Sequence, residues 1–533
     1  MFTLVDWMVV ATYLAAVVGI GSLVSRRKEQ GDDFFLAGRT MPVWAVAVST
    51  LATAVSAATF IGGPQQGYRG DLSYLTFKFA GLAAFIIVGF VFLPAIFRAG
   101  TPSVYGLITQ RFGTQAGGSA AVMFGIGRLL ASGARLFMTA IPFSLVAFGD
   151  AGGGSLALSI LLVASAACVY TVLGGVRAVI WTDVLQACVL VGTVAIAVSL
   201  LWMRLEMPLP EVVHRLDGAG KLKMIDWSFS WTNPYTVWGA AIGMTLFLIA
   251  AYGTDQDLAQ RLLTCRSPRR AALAGIMSNL IGWPVTFLFL ALGVLLWLHT
   301  EINGPIVSPL APEGDRDIFL HFILRDMPSG LRGLMMAGLF AAAMSSLDSA
   351  LNALAASSTA DIIRPWRSSR NLPPMTPARE TALARWLIAG WASALTLFAM
   401  LCAFWQSASG ETLLDFALGV MVFAYAGLLG IFLTALLTPR GNTGSAITAL
   451  LVGLMAVLLL QPFAWNWWMA WFMGADAPPP PAFPWRMAIA STLAFLTCVS
   501  RPRPTKQVES WPPEEPLSSC RMQTEQDDLH LPG

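Results

Sequence analysis

Apolar stretches of about twenty residues recur along almost the whole chain, and shorter polar segments separate them. A helix that crosses a bilayer needs about 20 mostly apolar residues, because the hydrocarbon core is about 30 Å thick. The pattern therefore predicts an all-α polytopic membrane protein, in which helices satisfy their own backbone hydrogen bonds. Thirteen transmembrane helices are expected, at residues 4–24, 41–66, 75–97, 119–148, 155–173, 180–203, 236–256, 271–298, 331–362, 382–405, 412–437, 444–471 and 484–500.

Composition agrees with a membrane protein and excludes several other classes. Only 12% of the 533 residues are charged, against about 25% in soluble proteins. The net charge of +3 is too small to indicate a nucleic-acid partner. The six cysteines have no Cys-x-x-Cys spacing, so they predict neither a disulfide framework nor a zinc site.

The distribution of basic residues predicts the orientation in the membrane. If the N-terminus lies outside, the inner segments carry most of the lysines and arginines, as the positive-inside rule requires. Asp6 near the start of the first span and basic residues after it reverse the charge order of a secretory signal, which predicts a retained span. We expect a multi-pass protein of the cell inner (plasma) membrane with its C-terminus in the cytoplasm. The tail, 501–533, is rich in Pro, Glu, Asp and Ser and is expected to be disordered.

The ninth expected span carries a polar stripe. Ser345, Asp348, Ser349 and Asn352 follow the spacing i, i+3, i+4, i+7 and share one helical face. A carboxylate in mid-membrane costs about 2.5–3.5 kcal/mol even on the lenient insertion scale, so this face should meet water, a partner or a cation. Hard cations prefer oxygen ligands, which this face offers. The alternative is a helix–helix seam, since small residues and hydroxyls are ordinary in such contacts.

The second expected span is unusually rich in small residues and hydroxyls. Gly62-Gly63-Pro64 can break this helix near its outer end. Broken helices inside a membrane expose carbonyls, which persist only where they line a cavity or hold an ion. A tightly packed seam of small residues is the alternative.

Basic residues within the third and fourth spans are candidates for binding an anion. Lys78 lies about one turn from an outer end, where its side chain can also extend to the interface. Arg128 and Arg135 lie two turns apart on one face of the fourth span. Each can pair with an acid inside the membrane or with a substrate carboxylate. Asp183, near the inner end of the sixth span, can be a solvated helix cap.

Three longer motifs resemble the solute:sodium symporter family over about residues 5–460. They are Gly174-Gly-Val-Arg-Ala-Val-Ile-Trp-Thr-Asp-Val-Leu-Gln186, Gly253-Thr-Asp-Gln-Asp-Leu-Ala-Gln-Arg261 and Met344-Ser-Ser-Leu-Asp-Ser-Ala-Leu-Asn352. The resemblance implies the inverted 5+5 helix repeat named after the leucine transporter (a LeuT-like fold). The implied organisation is a first helix and inner loop at 1–40, repeat 1 at 41–204, repeat 2 at 236–437, two further spans at 438–500 and the tail.

The resemblance also implies sodium as the coupling ion. The main site would use carbonyls of Ala52, Val55 and Ala342 with hydroxyls of Ser345 and Ser346. Some family members hold a second sodium, and the matching positions are Asp183, Ser345, Asp348 and Ser349. Asp348 stands where a hydroxyl is commoner, which either strengthens a cation site or links it to protons.

The substrate positions implied by the resemblance favour an anion. Positions that contact the sugar in family sugar carriers align with Thr59, Lys78 and about Leu248, and the lysine inverts the local charge. The sialic-acid branch resembles the chain in Ser56 and Thr59 and uses a fourth-span arginine, for which Arg135 is the match. The expected substrate-binding residues are therefore Ser56, Thr59, Lys78 and Arg135.

The expected function is sodium-coupled symport that imports a carboxylate-bearing organic anion, sialic-acid-like or a monocarboxylate, by alternating access. A neutral sugar or an amino acid such as proline is the alternative substrate, and a membrane solute sensor is the alternative class. An enzyme is disfavoured, because the four histidines fall in loops, span ends or the tail. The expected partners are a small solute, sodium and the lipid bilayer, without nucleic acid or an obligate protein partner.

Overall fold

Helices form all the regular secondary structure of the residues that the computed structural model describes, 2–24, 30–150, 152–304, 318–409, 413–474 and 477–502. The expected disordered tail, 501–533, lies outside this range except at its start. Shorter helical segments connect the main ones at Asp32–Leu36, Ala37–Arg39, Tyr105–Phe112, Leu209–Gly218 and Ile318–Asp326. The main helices are α1 (Leu4–Val24), α2 (Val43–Ala54), α3 (Ala57–Arg69), α4 (Ser73–Ala99), α5 (Thr114–Phe148), α6 (Gly153–Val169), α7 (Gly175–Leu205), α8 (Gly239–Gly253), α9 (Gln256–Leu263), α10 (Pro268–Asn303), α11 (Leu331–Ser369), α12 (Pro377–Ser409), α13 (Leu413–Leu437), α14 (Thr443–Leu460), α15 (Pro462–Met473) and α16 (Phe483–Val499).

The apolar helices confirm a multi-pass membrane protein. Within the described ranges, nine helices are long and apolar enough to cross a membrane, or ten if the bent pair α2–α3 forms one span. Three shorter apolar helices, α6, α8 and α16, coincide with further expected spans. The count of thirteen stays a prediction.

The second span is broken, but at a different place from the one predicted. The axes of α2 and α3 differ by 66°, and Val55 and Ser56 between them have extended backbone angles. The helix runs unbroken through Gly62-Gly63-Pro64, so the prediction of a break there is wrong. These glycines instead allow close packing, since a Cβ on Gly63 would lie 3.0 Å from Phe289 of α10.

Two further interruptions shape the core. Thr254 and Asp255 separate α8 from α9, and Asp255 has extended backbone angles (φ −88°, ψ 120°). At Gly175 the chain turns sharply between α6 and α7 with a positive φ of 59°. A Cβ there would meet Phe34 at 2.9 Å, so both the angle and the space require glycine.

Helix α11 lies at the centre of the molecule, and every residue from 335 to 359 is buried. It packs closely against α7, since a Cβ on Gly338 would lie 2.4 Å from the Thr193 hydroxyl oxygen. The polar stripe on α11 therefore faces other helices and not lipid.

Helices α3 and α10 approach each other at two facing glycines. A Cβ on Gly67 would lie 2.3 Å from the Leu290 carbonyl oxygen, and one on Gly293 would lie 2.0 Å from the Pro64 carbonyl oxygen. Backbone atoms fill both places, so no rotamer change can make room for a methyl group.

We expect Gly293→Ala to destabilise the protein by about 1–3 kcal/mol, as overpacking of a tight core does. The thermal midpoint of the purified protein in detergent measures this effect. Gly192→Ala on α7 is the matched control, because a Cβ there meets nothing within 4 Å. Equal midpoints for the two variants would contradict the close contact.

Candidate functional site

The break after α2 brings its last carbonyls to two serines of α11. The Ser345 hydroxyl donates to the Ala52 carbonyl at 2.9 Å, and the Ser346 hydroxyl donates to the Thr53 carbonyl at 3.3 Å. Both hydroxyls also lie within hydrogen-bond distance of the Ala342 carbonyl, at 3.4 and 3.2 Å.

The physical reason for this contact is the end of a helix. The last four carbonyls of an α-helix have no partner within it, and its C-terminus carries partial negative charge. Val55, which directly follows α2, is buried at the break. Four of the five residues predicted for the main sodium site are thus linked by hydrogen bonds, namely Ala52, Ala342, Ser345 and Ser346. Thr53 joins them, and Val55 lies at the adjoining break. Thr53 could not be predicted from the sequence, because its free carbonyl depends on where the helix breaks.

Asp183, predicted for a second cation site, is fully buried, so it is not a solvated cap. One of its oxygens, Oδ2, accepts hydrogen bonds from the Ser49 hydroxyl at 2.5 Å and from Arg261 Nη2 at 3.0 Å. The other oxygen, Oδ1, is buried without a hydrogen-bond partner among the described residues. The sequence indicated neither Ser49 nor Arg261 as partners of this acid.

The other members of the predicted second site lie on α11. Asp348 is fully buried, and one of its oxygens accepts the Ser349 backbone N–H at 2.7 Å. Ser349 donates its hydroxyl to the Ser346 carbonyl at 3.2 Å. Asp183 lies on α7, which packs against α11.

A buried charge network lies at the start of α9; we use this name for Arg128, Asp183, Asp255, Asp257 and Arg261. Arg128 of α5 forms ion pairs with Asp255 and, at 2.9 Å, with Asp257. Arg261 pairs with Asp257 at 3.1 Å and with Asp183 at 3.0 Å. The Tyr425 hydroxyl of α13 donates to Asp255 at 2.6 Å. This end of the seventh span is therefore interior structure and not a cytoplasmic helix end.

A cavity of about 120 Å³ adjoins the network and contains all four predicted substrate residues, Ser56, Thr59, Lys78 and Arg135. Sequence reasoning missed Tyr252 and Asn279 in this lining, because neither belongs to a matching motif. The full lining is Thr53, Ala54, Ser56, Ala58, Thr59, Tyr74, Phe77, Lys78, Gly81, Arg128, Arg135, Met244, Phe247, Leu248, Ala251, Tyr252, Asp257, Leu258, Asn279 and Met421.

Two cations of the cavity lack a carboxylate partner in the described part of the chain. Arg135 donates Nη2 to the Met421 sulfur at 3.1 Å, and its buried Nε has no partner. The Lys78 ammonium has no hydrogen-bond or ion-pair partner there, and it lies against α10, where a Cβ on Gly282 would be 3.2 Å away. Arg128, by contrast, is held by two acids.

The two helix N-termini at the breaks differ in their capping. The Asp255 side chain caps α9 by accepting the Asp257 N–H at 2.8 Å. Ser56 precedes α3 without a side-chain cap, and it lines the cavity. The α3 N-terminus therefore lacks the side-chain cap that Asp255 gives α9.

Comparison with known proteins identifies the family. The model of the sodium:solute symporter family matches residues 34–453. The chain belongs to this family. The resemblance in its three motifs is thereby confirmed, and the protein is a sodium-coupled symporter and not an enzyme.

Several relatives match this symporter over most of its length. It is 27% identical to the sodium/sialic acid symporter SiaT of Proteus mirabilis over 86% of this chain and 89% of the relative. It is 28% identical to the human sodium-coupled monocarboxylate transporter 1 over 90% of this chain and 75% of the relative. Both relatives are named as sodium-coupled carriers of carboxylates.

A solved structure confirms the fold. A Na⁺-coupled sialic acid symporter in a substrate-bound outward-open state superimposes with a TM-score of 0.78 at 24% identity, covering 94% of this chain and 98% of that chain. The symporter therefore has the expected LeuT-like fold.

We expect Arg128→Met to lower the free energy of unfolding by about 3–5 kcal/mol, because it leaves buried carboxylates unpaired. Adding Asp255→Asn should recover part of this loss, since the two sites interact directly. Thermal midpoints in detergent measure the effects. Arg215→Met is the control, because its ion pair with Glu211 is half exposed and such pairs contribute about 0–1 kcal/mol. Equal losses in the two arginine variants would contradict the network.

Proposed function

We propose that this symporter imports a small monocarboxylate anion with sodium across the plasma membrane, with its N-terminus outside and its C-terminus in the cytoplasm. The names of the relatives support a carboxylate substrate. The excess of basic residues in the inner segments supports the orientation.

The observation that carries the proposal is the pair of unmatched cations in one cavity, Arg135 and Lys78. A buried charge is costly unless a counter-charge or hydrogen bonds stabilise it. Arg135 donates to the Met421 sulfur and to no carboxylate among the described residues. A substrate carboxylate between Arg135 and Lys78 would supply acceptors for both, and the Arg guanidinium suits a two-oxygen partner.

The open N-terminus of α3 supports an anion at the same place. Ser56, Ala58 and Thr59 at this end of the helix line the cavity, and a helix N-terminus carries partial positive charge. At α9 the Asp255 carboxylate already occupies the equivalent position. A substrate carboxylate would thus cap the N-terminus of α3, as the Asp255 side chain caps that of α9.

The cavity volume favours a small member of the carboxylate class. An apolar protein cavity of about 150 Å³ accommodates benzene, and this one measures about 120 Å³. A monocarboxylate of a few carbons fits this space, whereas a sugar acid as large as sialic acid requires the cavity to widen.

Sodium would bind where α2 ends, held by oxygens of Ala52, Val55, Ala342, Ser345 and Ser346. Their supporting feature is the convergence of helix-end carbonyls and serine hydroxyls at 2.9–3.4 Å. Sodium there would fix α11 to the break, and the same break begins the cavity. Ion and solute are then coupled through differential binding to one arrangement. One sodium and one monocarboxylate carry no net charge together, so the membrane potential would add its contribution of about 2.3 kcal/mol per 100 mV only with a second cation in the same cycle.

A second cation would bind near Asp183, Ser345, Asp348 and Ser349. The buried charge network holds three carboxylates and two guanidinium groups, and Asp183 Oδ1 accepts no hydrogen bond among the described residues. One monovalent cation restores local neutrality. The carboxylate at Asp348 also permits a proton in that role.

The two breaks support the proposed inverted repeats at 41–204 and 236–437. Each half begins with an interrupted helix, α2–α3 in the first and α8–α9 in the second. The segments 1–40 and 438–500 flank the two halves.

Uptake into vesicles with and without a sodium gradient tests the substrate. We expect sodium-dependent uptake of short monocarboxylates, reduced at least tenfold in Arg135→Gln and in Lys78→Gln because each loses a contact to the carboxylate. Arg215→Gln in the outer connecting helix is the control. Uptake of a neutral sugar or proline that is unaffected by either substitution would overturn the proposal, and sodium-dependent uptake of sialic acid alone would overturn its size limit.

Sodium activation of uptake tests the main ion site. We expect Ser346→Ala to raise the sodium concentration for half-maximal uptake about tenfold, the effect of about 1.4 kcal/mol from one lost ligand. Ser393→Ala on α12 is the matched control, since its exposed hydroxyl bonds only its own helix. An unchanged sodium requirement in Ser346→Ala would place the ion elsewhere.

A further inference from the structure

The outer end of α11 has no capping side chain of its own. Gly330 precedes the helix with a φ of 86° and has no side chain to accept the first N–H groups. Asp6 of α1 supplies the acceptor instead, because its Oδ1 accepts the Gly330 N–H at 2.7 Å and the Gly333 N–H at 3.0 Å. A carboxylate at this position also complements the partial positive charge of a helix N-terminus.

Asp6 is itself held in place. Its second oxygen, Oδ2, accepts the backbone N–H and the hydroxyl of Thr3, both at 2.8 Å. The Thr3 hydroxyl lies 2.5 Å from the Ser329 hydroxyl, just before α11. Asp6 is fully buried, and Arg332 Nε is 3.8 Å from Oδ2.

The backbones of α1 and α11 are in close contact at this cap. A Cβ on Gly333 would lie 2.4 Å from the Asp6 carbonyl oxygen and 2.7 Å from its Cα. Neither helix can therefore slide along the other without breaking the hydrogen bonds to Asp6. Helix α1 is thereby fixed to α11 at one point, although it lies outside both proposed repeats.

The same helix carries Ser345 and Ser346, and it is buried along its length. A packed helix moves as a unit, so a shift at Gly330 changes the distance between these serines and the carbonyls of α2. The Ser345 contact to Ala52 spans only 2.9 Å, and a displacement of about one ångström would break it.

We propose that Asp6 is a positioning residue for the sodium site: it caps α11 from α1 and sets the depth at which Ser345 and Ser346 meet the broken helix. This inference rests on the proposed sodium site. It assigns to α1 the role of anchoring the ion-binding helix.

The test is a sodium titration of the thermal midpoint of the purified protein at constant ionic strength, without solute. We expect Asp6→Ala to raise the sodium concentration for half-maximal stabilisation about tenfold, and Asp6→Asn, which keeps an acceptor for Gly330 and Gly333, to raise it only about two- to threefold. Gly333→Ala, which pushes α1 away, should shift the titration in the same direction. If Asp6→Ala does not fold, the variants Asp6→Asn and Gly333→Ala provide the test.

Asn442→Ala is the matched control, because it removes the side-chain cap of α14, a helix without a sodium ligand. It should lower the midpoint at every sodium concentration without moving the titration. The inference fails if the Asp6 variants behave as this control does, even though the wild type responds to sodium. A wild type that is not stabilised by sodium overturns the proposed sodium site and this inference together, whereas failed uptake of carboxylates with a normal titration overturns only the substrate.

Discussion

Backbone carbonyls at the C-terminal end of α2 need hydrogen-bond partners, because an unsatisfied polar group inside a membrane costs several kcal/mol. Two serines of α11 supply hydroxyls to Ala52 and Thr53, and this contact holds the broken helix against the central one. Hydroxyl oxygens retain lone pairs when they donate, so the same contact can accept a cation. The depth of α11, the break in α2–α3 and the cavity beside it all depend on this arrangement.

Charge is arranged around the break in two regions. In the buried charge network, three carboxylates face two guanidinium groups. In the cavity, Lys78 and Arg135 lack direct carboxylate partners among the described residues. In the proposed mechanism, the second cation in the first region and the substrate anion in the second would each relieve a local excess. Binding of the cation would then favour binding of the anion, and the reverse.

The sequence predicted features that depend on composition and local spacing, and the family resemblance supplied the rest of the candidate site. The stripe that begins at Ser345 follows from helical periodicity, and its burial in α11 agrees with that prediction. The position of the helix break did not follow, because the glycines near Pro64 serve packing against α10 while Val55 and Ser56 take extended angles without a marked sequence signal.

The pairing of the buried charged side chains could not be predicted from the sequence either. Arg128 and Arg135 look alike on one helical face, and only the tertiary fold gives Arg128 two acids and leaves Arg135 beside a methionine. The cap from Asp6 to Gly330 joins residues more than three hundred positions apart. Such contacts depend on which helices become neighbours, and a single chain without aligned relatives does not reveal that.

The facing glycines of α3 and α10 have a consequence for the transport cycle. Since Gly67 and Gly293 leave only backbone between the two helices, α3 and α10 form one closely packed pair. A hinge at Val55 and Ser56 would therefore have to move α3 and α10 together. Helices without such a close contact are better suited to move alone during the transport cycle.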